Sequence, residues 1–321
     1  MTLQELRHNY LRLTHTETIH DSIEAIDIYC ELFIIMINNQ KNETINSNAE
    51  SDALMILQMM MTKALHLKKS IEGVNFKSNS GLELNKIIDP TIIGCLTRNV
   101  YETVGMFNII YRANRFEEER LIVYNLWVNS GLQYRQRFSD TITMEENEIK
   151  LKSESATISR GISEIENTML YKGLNESSKK RIQHLIKRRE YLVYFQNGEA
   201  IVLNWRDLYK TLNVEEKYFD KMYTFFSLSA HPSNVAVFQF RDMFKQGEKS
   251  YIGMTTFNMH YFFMLASIFI ADYLNLFPSN LDLFNNQPIL NQIIINFHNT
   301  FARGNEFSIN DSWKHLGLSG N

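Results

Sequence analysis

The feature that most constrains the fold of this chain is a spacing of apolar residues three and four positions apart along almost its whole length. Proline and glycine, which most often interrupt helices, number only 4 and 13 among 321 residues. Such spacing places the apolar side chains on one face of each helix, where another helix can cover them. The sequence therefore predicts an all-α protein, a multi-helix bundle with a long protruding helical hairpin.

The predicted helices cover most of the chain and are separated by short polar segments. They are expected at residues 21–38, 52–71, 90–111, 115–138, 205–212, 215–229, 257–277 and 290–301. The predicted helix at 257–277 is the most apolar of these. It contains Asn258, His260, Asp272 and Asn275, which favours a buried core helix over a membrane span. Residues 73–81 predict a loop. Residues 191–202 predict the one β element, with Gly198 in its turn.

Residues 141–189 differ from the rest of the chain in composition, because charged residues dominate and apolar residues form only a sparse stripe. The pattern predicts two long amphipathic helices that break near residues 172–175. We expect this pair to be an insertion into one core domain made of residues 1–140 and 190–305. The pair would pack on the core at one end or associate with a second copy of the chain. Residues 306–321 are expected to form a loosely held tail.

The overall charge is close to neutral, at a formal −3, and gives no global attraction to nucleic acid or to an anionic membrane. One local cluster within the predicted insertion is strongly basic. Its members are Lys179, Lys180, Arg181, Lys187, Arg188 and Arg189. Such a cluster is typical of a solvated helix face or of a contact with a phosphate backbone. The N-terminus lacks the apolar core of a signal peptide, so we expect a cytoplasmic protein that does not contact a membrane.

The sequence predicts neither a metal site nor a cofactor. Glu17 and His20 have the Glu-x-x-His spacing used in helical di-iron bundles, but we interpret the N-terminal histidines as surface or capping residues. The two cysteines, Cys30 and Cys95, have no metal-binding spacing. A phosphate-binding loop, a Gly-rich dinucleotide fingerprint and a Gly-x-Ser-x-Gly elbow are all missing from the sequence.

Two segments combine charged or polar side chains with an apolar helical pattern. Arg98 and Glu102 lie four positions apart, which places them on one helix face and predicts an ion pair. The segment 218–234 is an aromatic helix that ends on a polar cluster. Pro232 follows His231 directly, and because proline cannot continue a helix, His231 is expected at the helix terminus.

We expect these two segments to form one polar pocket from Arg98, Glu102, Ser229, His231 and Asn234. Arginine binds phosphate or carboxylate in a bidentate geometry, and histidine acts as acid, base or ligand. The pocket predicts a binding or regulatory module for a small anionic ligand or a partner protein. One alternative is an enzyme in which His231 is the acid or base and Arg98 stabilises phosphate charge. Another is a structural role for all of these side chains.

The motifs Arg98-x-x-x-Glu102 and Ser227-x-x-x-His231-Pro-Ser resemble those of a bacterial all-helical family of unknown function. The resemblance covers residues 90–130 and 215–275, and it implies a fold rather than an activity. The late polar histidine is also distantly similar to that of HEPN (higher eukaryotes and prokaryotes nucleotide-binding) proteins.

Many HEPN proteins are ribonucleases of toxin–antitoxin or phage-defence systems, so this second similarity implies a ribonuclease or a phosphotransferring enzyme. The HEPN signature places an arginine before the catalytic histidine, with four to six residues between them. None of the nine histidines here follows an arginine at that spacing. Catalysis of this kind would therefore require Arg98 to supply the arginine from another helix.

Overall fold

The computed structural model describes residues 1–139, 144–231 and 233–317. It divides the chain into two compact units. Unit 1 comprises Met1–Gly105 and Leu212–Asn321, and unit 2 comprises Met106–Thr211. The part of the chain that the structure describes contains fourteen α-helices and two short β-hairpins. The predicted all-α multi-helix bundle is therefore confirmed.

In chain order the helices are α1 (Leu3–His15), α2 (Ile19–Asn39), α3 (Asn48–Glu72), α4 (Pro90–Asn108), α5 (Glu117–Gln136), α6 (Glu145–Asn167), α7 (Met169–Gly173), α8 (Glu176–Arg188), α9 (Glu216–Phe219), α10 (Met222–Ala230), α11 (Asn234–Gln246), α12 (Glu248–Leu276), α13 (Leu281–Asn285) and α14 (Ile289–Arg303). The strands are β1 (Val74–Lys77), β2 (Glu83–Ile87), β3 (Val193–Gln196) and β4 (Glu199–Val202). Short 3-10 or π helices occupy Gln40–Asn42, Ile109–Ala113, Trp205–Thr211, Pro278–Asn280, Asn305–Phe307 and Ser312–Leu316.

Polar side chains define where the first two helices begin. Thr2 accepts a hydrogen bond from the backbone amide of Glu5, and the Glu5 carboxylate accepts one from the amide of Thr2. Thr18 and Asp21 repeat this reciprocal pair at the start of α2. Each pair satisfies two backbone donors that a helix terminus would otherwise leave without partners.

Helix α12 forms the centre of unit 1, where it packs against α2, α11 and α14. Its residues Lys249–Leu276 are long enough to span a membrane. An 18-residue window within them has a mean hydropathy of 1.3, and 83% of that window is buried. Aromatic rings line the contact with α2, as in the stacking of Tyr29 on Phe263 at 5.5 Å between ring centroids. The buried helix predicted at 257–277 is present, and it begins nine residues earlier than predicted.

A buried ion pair joins α12 to α14. The two terminal nitrogens of Arg303 each lie 2.9 Å from a carboxylate oxygen of Asp272, and the two side chains are 3% and 5% exposed. Arg303 Nε also donates to the backbone carbonyl of Leu212 at 2.7 Å. Because removal of one partner leaves a buried charge without compensation, the loss of such a pair costs roughly 3–5 kcal/mol.

The segment after α14 is anchored, which differs from the predicted loose tail. The Asn296 side-chain amide donates to the Asn310 side chain and to Ser312 Oγ, both at 2.7 Å. Leu316 is buried in an apolar cluster with Leu6 and Ile293. The prediction is therefore wrong for residues 306–317, because polar groups of α14 hold this segment. Residues 318–321 of the predicted tail lie outside the described residues.

Unit 2 extends beyond the predicted insertion at both ends. Helices α5 and α6 run antiparallel, with Asn125 donating to Glu164 and Arg135 pairing with Glu154. Helix α8 packs on α5 and on β4. Because α5 and the β3–β4 hairpin cover the apolar sides of α6 and α8, the unit spans Met106–Thr211 rather than residues 141–189. Residues 141–143 of the predicted insertion lie outside the described residues.

The sequence predicted one of the two β-hairpins and not the other. The predicted element at 191–202 is the β3–β4 hairpin, in which Asn197 and Gly198 form a two-residue turn with φ of 52° and 78°. The β1–β2 hairpin replaces part of the loop predicted at 73–81. Its apolar residues Val74 and Phe76 are 62% and 65% exposed, so it follows the alternation of a strand without burying a face.

A buried hydrogen-bonded group links α2, α12 and α14. Tyr29 Oη lies 2.8 Å from Ser267 Oγ and 2.8 Å from His298 Nδ1. Burial, together with the charge that nearby His260 would carry, lowers the pKa of His298 to about 3. A neutral imidazole is thus part of the folded core.

We predict that His298 makes the fold sensitive to acid. The unfolded chain takes up a proton at His298 near the ordinary pKa of 6.5, whereas the folded chain does not until far lower pH. The stability that this difference in pKa contributes is therefore fully present above pH 6.5 and is lost as the pH falls towards 3. Between about pH 7 and pH 5 the free energy of unfolding should fall by about 2 kcal/mol more in the wild type than in His298→Asn.

Urea unfolding of both proteins across this range measures the difference. The asparagine side chain keeps a hydrogen-bond partner for the Tyr29 hydroxyl. Protonation of the carboxylates changes the stability of both proteins equally, so the difference between them reports the protonation of His298. If the free energy of unfolding fell by the same amount in both proteins between about pH 7 and pH 5, the prediction would be wrong.

Gly161 of α6 allows the close approach of α5. A Cβ at this position would lie 2.8 Å and 2.9 Å from the side-chain oxygen and nitrogen of the buried Asn129. By contrast, a Cβ on the exposed Gly131 of α5 would meet nothing within 4 Å. Gly161→Ala should therefore destabilise the protein by about 1–3 kcal/mol.

The matched variant Gly131→Ala should stabilise the protein by about 0.5–1 kcal/mol, because alanine loses less conformational entropy in a helix. Thermal unfolding of the two variants separates these opposite signs. Equal shifts of the two melting temperatures would show that the α5–α6 contact does not require a glycine.

Candidate functional site

Arg98 and Glu102 of α4 form the ion pair that their spacing predicts. Arg98 Nε lies 2.9 Å from Glu102 Oε1, and the two side chains are 17% and 25% exposed. Their helix neighbours Val100 and Tyr101 are fully buried. The pair thus lies at the edge of the apolar core of unit 1, where each charge compensates the other.

Tyr223 of α10 holds the guanidinium from a second direction. Arg98 Nη2 donates to Tyr223 Oη at 2.6 Å, and Arg98 Cζ lies 4.6 Å from the centroid of the Tyr223 ring. Tyr223 in turn contacts the ring of the buried Tyr101 at 6.0 Å between centroids. Burial raises the pKa of Tyr223, so the phenol stays neutral and can accept a hydrogen bond from Arg98.

His231 faces the remaining side of the guanidinium. It is the C-cap of α10, its backbone amide donates to Ser227 at 3.0 Å, and its side chain is exposed. His231 Nε2 lies 3.4 Å from Arg98 Nη1. Because a guanidinium only donates, His231 Nε2 is the acceptor in this contact. The predicted terminal position of His231 is confirmed, while Pro232 lies outside the described residues.

Lys63 of α3 adds a second cation beside the ion pair. Its ammonium donates to the side-chain oxygen of Asn99, the residue that follows Arg98. Burial lowers the pKa of Lys63, and the nearby charge of Glu102 opposes this effect. With Lys63 protonated, the two cations exceed the single carboxylate by one charge, which favours an anion at this place.

Ser229 and Asn234 do not join this group. Ser229 packs on α4 at Gly94, where a Cβ would lie 3.0 Å from Ser229 Oγ. Asn234 is exposed at the first position of α11. Within residues 1–139, 144–231 and 233–317, neither side chain forms a hydrogen bond to Arg98, Glu102 or His231. The structure therefore brings together three of the five residues predicted for the pocket.

Sequence reasoning missed Tyr223 and Lys63. Tyr223, Ser227 and His231 are spaced four apart, so one face of α10 leads directly from the histidine to the tyrosine. That spacing could have identified Tyr223 as a neighbour of His231. No comparable signal exists for Lys63, because α3 and α4 are brought together only by packing.

The described residues contain no group of three or more His, Cys, Asp or Glu side chains that could hold a metal ion. Comparison with protein-family models, with curated proteins and with solved structures finds no match for this chain. The resemblances to the bacterial helical family and to HEPN proteins therefore stay predictions.

We predict that the approach of α10 to α4 depends on Gly94. Alanine at this position would crowd Ser229 Oγ at 3.0 Å and Ser229 Cβ at 3.2 Å, which should destabilise the protein by about 1 kcal/mol. The control is Gly253→Ala, since a Cβ on this exposed residue of α12 would meet nothing within 4 Å. Thermal unfolding measures the change in stability of Gly94→Ala and of Gly253→Ala.

The second variant Ser229→Ala should recover part of the loss in the Gly94→Ala background, because it removes the nearer of the two crowded atoms. Failure of this rescue, together with equal effects of Gly94→Ala and Gly253→Ala, would show that the two helices do not meet at this seam.

Proposed function

We propose that the chain is a binding or regulatory protein that recognises a small anion at Arg98 and His231. The observation that carries this proposal is the position of the guanidinium, which Glu102 and Tyr223 hold while its Nη1 faces an exposed histidine at 3.4 Å. A phosphate or carboxylate oxygen at this place would accept hydrogen bonds from both side chains. Charge-assisted hydrogen bonds of this kind are the stronger ones in proteins.

The fixed guanidinium favours binding, because little side-chain freedom would be lost when the anion arrives. The excess of positive charge from Lys63 and Arg98 over Glu102 acts in the same direction. An anion that bridges Arg98 and His231 needs a donor on His231 Nε2, which is an acceptor in its contact with Arg98. The other tautomer of the imidazole supplies this donor, because a neutral histidine carries its proton on either ring nitrogen.

The proposal predicts that Arg98→Lys and His231→Ala each weaken the binding of inorganic phosphate or adenosine monophosphate. Lysine keeps the charge but loses the planar fork, so the loss should be about tenfold, the effect of about 1.4 kcal/mol. Isothermal titration calorimetry of the wild type and of each variant measures the affinity for both probes.

The matched control is His66→Ala, which removes an exposed histidine from α3. It should leave binding unchanged. The proposal fails if neither probe binds, or if Arg98→Lys and His231→Ala bind as tightly as the control.

A second candidate is an RNA-cleaving or phosphotransferring enzyme, with His231 as acid or base and Arg98 compensating phosphate charge. One observation favours it. The arginine that is missing at the HEPN spacing has a counterpart in Arg98, which approaches His231 from another helix at 3.4 Å. Incubation with a labelled oligoribonucleotide separates the two candidates. An enzyme cleaves the RNA, and this activity is lost in His231→Ala but kept in His66→Ala. A binding module leaves the RNA intact.

A further inference from the structure

Unit 2 contains a groove of about 700 Å³ between α8 and the β3–β4 hairpin, open to solvent. One wall is polar and the other aliphatic. The lining residues are Ser177, Lys180, Arg181 and His184 from α8, and Ile201 and Val202 from β4. None of them belongs to the site around Arg98.

The polar wall carries a strong local excess of positive charge. Residues 176–190 contain six lysines and arginines and two glutamates. The glutamates face other groups, since Glu176 lies 4.0 Å from Lys179 and Glu190 lies 3.0 Å from Arg188. Within the part of the chain that the structure describes, no carboxylate lies within ion-pair distance of Lys180 or Arg181. The groove therefore has a field that an anionic ligand would compensate.

Helix α8 and β4 hold this wall in place. The buried Ile182 and Leu185 fix one face of α8 in unit 2, which directs the cationic face outwards. Arg181 Nη1 donates to the backbone carbonyl of Ala200 at 2.8 Å, so Arg181 lies against the hairpin. The guanidinium of Arg181 is thus held in place by the hairpin.

The contrast between the two walls indicates the ligand. A duplex presents phosphates along both rims of its grooves, so an aliphatic wall would face charge. A single strand has phosphates on one side and the flat faces of its bases on the other, which matches a cationic wall opposite an aliphatic one. Tyr194 pairs directly with Ile201 across the hairpin, so their side chains project from the same face. Its partly exposed ring offers a surface on which a base can stack.

We propose that this groove binds the phosphodiester backbone of a single-stranded nucleic acid. Lys180 and Arg181 contact phosphates, and the hairpin wall with Ile201 contacts the bases. The inference concerns unit 2 alone and does not depend on an anion at Arg98 or on any activity of His231.

The test uses the full chain and labelled oligouridylate and oligothymidylate of roughly 16 nucleotides, the upper end of common site sizes. Fluorescence anisotropy between about 50 and 200 mM salt gives the affinity and its salt dependence. The double variant Lys180→Gln/Arg181→Gln should bind several-fold more weakly. Its log–log salt slope should be smaller by about 1.4, because each phosphate contact on a single strand contributes about 0.7. The side-chain amide of glutamine at position 181 can still donate a hydrogen bond to the backbone carbonyl of Ala200.

The matched control is Lys150→Gln/Lys152→Gln, which removes two exposed lysines of α6 and should leave the affinity and the slope unchanged. Thermal unfolding of both double variants checks that the fold is retained. Binding of both oligonucleotides supports recognition of the shared backbone, and a preference for one adds recognition of its sugar or base. The proposal is overturned if neither oligonucleotide binds, if a duplex binds as tightly as the single strands, or if the two double variants lose affinity equally.

Discussion

The buried pair of Asp272 and Arg303 is the interaction on which the arrangement of unit 1 depends most. Helix α12 is apolar enough to be buried on nearly all sides, and a carboxylate in its interior needs a partner of opposite charge. Arg303 supplies that partner from α14 in a bidentate geometry, and its third nitrogen binds the carbonyl of Leu212. One guanidinium therefore joins the central helix, the last long helix and the start of the second half of unit 1.

Two further polar residues of α12, Ser267 and His260, follow the same rule with neutral partners. Ser267 completes a hydrogen-bonded group with Tyr29 and His298, and His260 contacts Thr16 at 2.9 Å. These contacts connect α12 to α2, α14 and the segment after α1. The burial of an apolar helix thus determines which polar groups must meet, and these groups in turn select one register of packing.

The site around Arg98 depends on this core indirectly. Helix α10 packs on α4 through the close approach of Ser229 to Gly94, and this approach places Tyr223 beneath the guanidinium and His231 beside it. Arg98 and Glu102 could have formed their pair on any exposed helix. What makes the pair a candidate site is the histidine from a distant part of the chain, which remains exposed while its arginine partner is mostly covered.

The sequence alone determined the helical class, most helix positions, the Arg98–Glu102 pair and the terminal position of His231, because these depend on spacing within single segments. Only the tertiary structure decided that Arg98 meets His231 while Ser229 and Asn234 stay apart from them, since three helices must pack before those distances exist. The same holds for the extent of unit 2 and for the anchored segment after Arg303, which polar contacts across the fold create. Local periodicity records which face of a helix is buried, but it carries no information about the partner that covers that face.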